Sequence, residues 1–192
     1  MKIPSKKIKN RDQKLLEYCV WKKVLHIWAC DSPFTKDKFE GHCWPFLYRE
    51  IDAICSHQLW IDLDQLSVDF LNSHREEFSH SEARCIDMNT FSDLEYEPDV
   101  IIFGEVIEHL MNLETAISNL KKVMKKDTIL IISTPNSYCY EGILWNLFWR
   151  ESFHEDHKVY FSYGMLSNLL RHNGIQVVDA YFCKIWHEPD SI

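Results

Sequence analysis

The chain has 192 residues, 46% of them apolar and 26% charged, with only five Gly and six Pro. At about 150 residues per domain this is one compact domain, and its aromatic content excludes a disordered or low-complexity chain. The net charge of −8 is uneven: residues 1–23 form a basic arm of +6, and the remainder carries −14.

So acidic a body repels phosphate, which argues against a general nucleic-acid platform. The arm reads as a solvated helix face leading into a single domain over residues 24–192. No apolar run approaches the roughly 18 residues of a membrane span. The opening MKIPSKKIKNRDQ lacks the apolar stretch of a secretory signal. Seven scattered cysteines with no Cys-x-x-Cys pair predict reduced thiols and a cytoplasmic protein.

In chain order, Val24–Trp28 is the first predicted strand, followed by a helix over 42–57. Gln58–Asp62 reads as a second strand and 65–78 as a helix carrying Leu66, Phe70 and Leu71. Ala83–Ile86 is a short third strand. Val100–Phe103 is apolar on both faces, as a buried parallel strand is. Residues 112–125 place Leu113, Ala116, Ile117, Leu120 and Met124 at helical spacing. Ile129–Ile132 is a fifth strand, stopped by Ser133-Thr134-Pro135-Asn136. A loop-rich stretch follows, then a helix over 163–172 ending before Gly174, then a strand over Ile175–Phe182. Strands alternating with helices predict an α/β fold with a doubly wound, mostly parallel sheet covered on both faces.

In such sheets a ligand lies outside the carboxyl ends of the strands, and polar residues follow the apolar runs there. Asp62 ends the second strand, where a carboxylate can accept from both hydroxyls of a ribose. Asp64 reads as the cap of the next helix. Asp87 and Met88, after the third strand, suit the exocyclic amine and flat face of an adenine. Glu105, Glu108 and His109 follow the fourth strand at i, i+3 and i+4, which places them on one face if the turn is helical. That trio can supply a general base, His109, oriented by a carboxylate, or hold a divalent metal.

The order of these motifs resembles the class I S-adenosylmethionine-dependent methyltransferases, in the branch with a Gly104-Glu-Val-Ile-Glu-His-Leu110 segment. The helix at 112–124, Thr134-Pro135-Asn136, His154–Ser162 and Asn173–Val178 continue the resemblance over about residues 22–182. It implies a Rossmann-like fold and S-adenosylmethionine as cofactor. Asp62 then holds the ribose, Asp87 and Met88 the adenine, and Glu105 lies beside the methionine end. Trp28 and Asp31 fall in the cofactor loop. Glu108 and His109 reach the acceptor, with His154 or His157 lining its pocket. Some RNA end-methylating and quinone-pathway relatives associate such a Glu-x-x-Glu-His set with a metal. Glu105, Glu108, His109 and His157 are the ligands that implies here, as an alternative to a metal-free site.

The chain departs from the family at the glycine-rich loop. His26 stands where an acid is usual and Trp28 where the first glycine belongs; no glycine precedes Gly41. Glycine there lets the backbone approach the ligand. Trp28 either fills part of the pocket or turns into the core, the loop rerouting through Asp31-Ser32-Pro33. Little chain follows Phe182 for a seventh strand, so the C-terminal strand is expected to be missing. A homodimer or heteromer would then cover that sheet edge.

The expected activity is methyl transfer to oxygen or nitrogen of a small molecule or saccharide, with neither membrane nor nucleic acid as partner. The alternative is a methyltransferase-like pseudoenzyme, a binding or regulatory subunit whose cofactor site Trp28 blocks.

Overall fold

The computed structural model describes residues 6–27, 34–43, 45–88, 94–149 and 154–183. The elements are β1 (Lys7–Ile8), α1 (Arg11–Cys19), β2 (Lys23–Ile27), α2 (Thr35–Phe39), α3 (Leu47–Asp52), β3 (His57–Asp62), α4 (Gln65–Ser73), β4 (Ser81–Cys85), β5 (Val100–Gly104), α5 (Leu113–Val123), β6 (Ile129–Ser133), α6 (Tyr140–Leu147), α7 (Tyr163–His172) and β7 (Phe182–Cys183). Five strands form one parallel sheet in the order β4-β3-β2-β5-β6. The chain reverses direction across the sheet between β2 and β5, and that switch point is where such sheets bind ligands. The expected α/β, doubly wound architecture is therefore present.

Residue parity along the strands sets the two faces. Leu25, Leu59, Ile61, Ile101 and Phe103 pack against Ala116, Leu120 and Val123 of α5. Val24, Val100 and Ile102 point the other way, onto Leu15 and Cys19 of α1 and Ile51 of α3. Trp60 and Ala83 share that second face with Tyr48, Val68, Leu71 and Phe78. Both faces of the central strands are dry, hence their unbroken apolar runs. Side-chain caps begin the helices: Asn10, Asp64, Asn112 and Ser162 accept from Gln13, Leu66, Thr115 and Met165 N–H groups. Gly174, at φ +75°, closes α7 in the left-handed conformation that glycine adopts without strain.

Three expectations need correction. The helix predicted over 42–57 is limited to α3. Among the described residues the strand predicted over Ile175–Phe182 is unpaired until its last residue; Phe182 and Cys183 pair with β1 instead of the main sheet. The basic arm is more than a solvated face. It supplies β1, buries Leu15 and Cys19, and ties Lys6 to Asp179 by an ion pair at 2.7 Å. Among the described residues β6 pairs with β5 alone, so it forms the sheet edge.

His26, in the middle of β2, is buried, and its Nδ1 has no hydrogen-bond partner among the described residues. Burial first, and then the charge of Arg11, push this imidazole down to about 3. The unfolded chain takes up that proton near pH 6.5, and the folded chain refuses it until far lower pH. The stabilisation is thus complete above pH 6.5 and lost as pH falls toward 3. His26→Leu is expected to shrink the difference in unfolding free energy between pH 7 and pH 5 by roughly 2 kcal/mol, as urea titrations at the two pH values will show.

Candidate active site

The tips of the parallel strands line up along one edge. Asp62 ends β3 and is buried; its Oδ1 accepts from the Asp64 N–H at 2.9 Å. Asp64 caps α4 and also accepts from the Ser67 hydroxyl at 2.6 Å, the structural role expected of it. On the neighbouring tip, Ile86 N–H donates to the Asp62 carbonyl at 2.9 Å, which anchors the loop carrying Asp87 and Met88. Met88 is buried in the core cluster, and its carbonyl accepts from the Asn119 side chain at 2.9 Å. The structure thus places Asp62 and Asp87 on adjacent tips. Trp28 and Asp31, which follow β2 in the sequence, lie outside the described residues.

At the end of β5 the backbone departs from a helix. Glu105 has φ +54°, a left-handed conformation that costs a non-glycine residue roughly 1–2 kcal/mol. Its N–H donates to the Ser133 carbonyl of β6 at 2.9 Å. Only residues Ile107–His109 form a helical turn, of the tighter 3-10 kind. The helical turn expected to carry Glu105, Glu108 and His109 therefore begins only after Glu105; the Glu108 carboxyl nonetheless feels the charge of nearby Glu105. The Glu105 carboxylate meets Arg11 of α1 at 3.3 Å. Arg11 is the site residue that sequence reasoning missed, since nothing local links positions 94 residues apart.

Glu108 is only 1% exposed, and neither carboxylate oxygen reaches hydrogen-bond geometry with its neighbours Glu105 and Thr134. Burial, followed by the Glu105 charge, pushes this carboxyl up to about 7. The Glu108 carbonyl accepts from Lys158 and Val159 N–H groups at 2.7 and 3.1 Å. Those two bonds fold the 154–159 loop over the site. They bring both loop histidines in: the rings of His109 and His157 lie 4.8 Å apart, and His154 stacks on His157 at 4.9 Å.

The Nδ1 of His109 contacts the Asp156 carbonyl at 3.2 Å. A carbonyl only accepts, so Nδ1 carries the proton and Nε2 is the basic nitrogen of the neutral ring. Burial and the charges of His109 and His154 hold the His157 imidazole below its ordinary value. Ligand atoms of Glu108, His109 and His157 all lie within 4.8 Å of one another. Of the four ligands implied for a metal, these three converge, and the fourth, Glu105, is ion-paired to Arg11 at 3.3 Å.

A cavity of about 380 Å³ opens beside Arg11 and Glu105, and Glu108, His109 and His157 are not among its lining residues. Ile129–Ile132, Phe161, Leu166 and Leu170 supply apolar walls, and Arg11, Glu105, Ser133 and Asn136 supply polar groups. It occupies the open flank of β6.

The methyltransferase-domain family matches residues 21–180. A search of curated proteins found no match. Among solved structures, the [4+2]-cyclase SpnF aligns with a TM-score of 0.63 at 14% identity, over 88% of this chain and 57% of its own. The YcgJ protein of Bacillus subtilis aligns at 0.61 and 13% identity, over 84% of this chain and 66% of its own. The N-methyltransferase NodS of Bradyrhizobium japonicum WM9 aligns at 0.56 and 17%, over 84% and 79%. This chain thus spans between 57% and 79% of the length of these structures. At such identities the likeness establishes the fold alone, and a cyclase among them shows that reaction does not follow from fold. The family match covers most of the sequence and both ends of the described sheet, and on that ground the chain belongs to the methyltransferase-domain family.

Proposed function

We propose that the protein transfers a methyl group from S-adenosylmethionine to an oxygen or nitrogen of a small molecule or saccharide in the cytoplasm. The observation that carries this reading is the setting of His109. Its Nδ1 is held by the Asp156 carbonyl, and its ring lies against His157 at the mouth of a buried strand.

Methyl transfer is an in-line displacement. The acceptor lone pair forms the new bond to the methyl carbon as the carbon–sulfur bond breaks, leaving S-adenosylhomocysteine. The protein aligns the partners and takes up the acceptor proton. In this reading His109 Nε2 receives that proton, and the buried Glu108 stabilises the imidazolium that results. Asp62 accepts from the ribose hydroxyls, Asp87 and Met88 contact the adenine, and Glu105 lies by the methionine end with Arg11 across it. His154 and His157 line the acceptor side. The open flank of β6 is the place for a homodimer or heteromer contact.

Convergence of Glu108, His109 and His157, with two carboxylate oxygens lacking hydrogen-bond partners among the described residues, favours a second reading. Those three side chains would hold a divalent cation of the kind that takes oxygen and imidazole ligands. Such an ion would polarise an acceptor hydroxyl. The test for both readings is transfer from labelled S-adenosylmethionine to a panel of alcohols and amines, with and without a chelator. Transfer unaffected by chelation supports His109 as base; transfer abolished by it and restored by added Mg²⁺ or Mn²⁺ supports the cation. Absence of transfer to any acceptor by a protein that binds the cofactor would favour a binding subunit.

A further inference from the structure

Residues 136–149 hold one charged side chain, Glu141, and no Lys or Arg. Within α6 and the turn after it, Ile143 and Leu147, and then Leu144 and Phe148, are each four residues apart. That spacing stacks them in one apolar stripe. All four are exposed, with Leu147 at 69% and Phe148 at 71%. A stripe of this kind on a globular protein ordinarily faces the core; here it faces outward.

Trp149 ends the segment in a left-handed conformation at φ +58° and is 98% exposed. An L-residue pays for that conformation, and here no packing compensates. Tyr138, 66% exposed, stands at the other end. Rings at both ends of a short apolar stripe match the chemistry of a lipid headgroup boundary, where amphipathic aromatic side chains settle.

We propose that α6 and its flanking aromatic residues dock the protein on the surface of an electrically neutral lipid bilayer. Charge selects this occupant. The stripe offers nothing to an ionic partner, its flanking rings suit a headgroup boundary, and a chain of net charge −8 is repelled by an anionic bilayer. The helix begins shortly after Ser133–Asn136, which line the cavity. Among the described residues no helix is long and apolar enough to cross a membrane, so contact is at the surface only. The docking does not depend on methyl transfer, and its test can fail while the proposed activity stands.

The experiment is co-sedimentation of the full chain with phosphatidylcholine vesicles at about 50 and about 500 mM salt. The expected result is binding at both salt concentrations, weakened about tenfold or more by Leu144→Glu with Phe148→Glu. Both residues are exposed, so circular dichroism and the thermal midpoint of the variant are expected to match the parent. Three outcomes would overturn the proposal: no binding by the parent, binding only to anionic vesicles and lost in high salt, or a concentration-dependent dimer dispersed by the same substitutions without vesicle binding.

Discussion

His109→Asn is expected to lower kcat for methyl transfer by about 10²- to 10⁴-fold, the usual contribution of a positioned general base. Affinity for S-adenosylhomocysteine should change less than about twofold, because the imidazole acts on the acceptor side. The expectation rests on three contacts. The Asp156 carbonyl fixes the tautomer at 3.2 Å, the His157 ring lies 4.8 Å away, and Glu108 stands buried in the adjacent position. Single-turnover rates measured across pH separate catalysis from folding. With cofactor bound, the variant should react slowly at every pH while its unfolding midpoint matches the parent's. A variant with parental kcat and weakened cofactor affinity would move His109 out of the proton-transfer role.

Asp62→Asn should weaken S-adenosylhomocysteine binding by about 10- to 100-fold, since charge-assisted hydrogen bonds are worth roughly 1.5–3 kcal/mol each. Asparagine keeps an oxygen for the Asp64 N–H, which donates to Asp62 Oδ1 at 2.9 Å. The substitution therefore removes the charge and spares the β3–α4 turn. Calorimetry gives the affinity, and the thermal midpoint of the unliganded protein gives the control. A fall in midpoint with unchanged affinity would assign Asp62 a structural role.

Much of this arrangement was legible in the sequence because burial on both faces leaves a plain mark. Val100–Phe103 is apolar without alternation because β5 is a central strand buried on both faces; Ile129–Ile132 carries the same pattern although β6 is the sheet edge and only partly buried. Asp62 and Asp87 were legible as acids directly after such runs. The helix over 163–172 announced both ends, through Ser162 and Gly174. What escaped depended on distant pairing. Residues 175–182 carry a strand-like composition, yet no strand lies beside them until Phe182 meets Lys7.

Arg11 looked like one more charge of a solvated arm; only the fold brings it to Glu105. The helical spacing of Glu105, Glu108 and His109 is interrupted for a local reason. One left-handed residue breaks the period, and the loop at 154–159 supplies the partner that the helix face was expected to supply. α6 escaped because it lies in the stretch after Asn136 that reads as loop-rich, and the structure forms a helix there with its apolar stripe outside.

Titration of the full chain with S-adenosylhomocysteine by isothermal calorimetry tests the central claim, that acidic strand tips hold this cofactor. The account predicts saturable binding at one site, with an affinity on the order of micromolar. No heat of binding at about millimolar ligand, from a sample that unfolds cooperatively, would contradict it. Recovery of binding in Trp28→Gly would then locate the obstruction at the missing glycine and leave the protein a binding subunit.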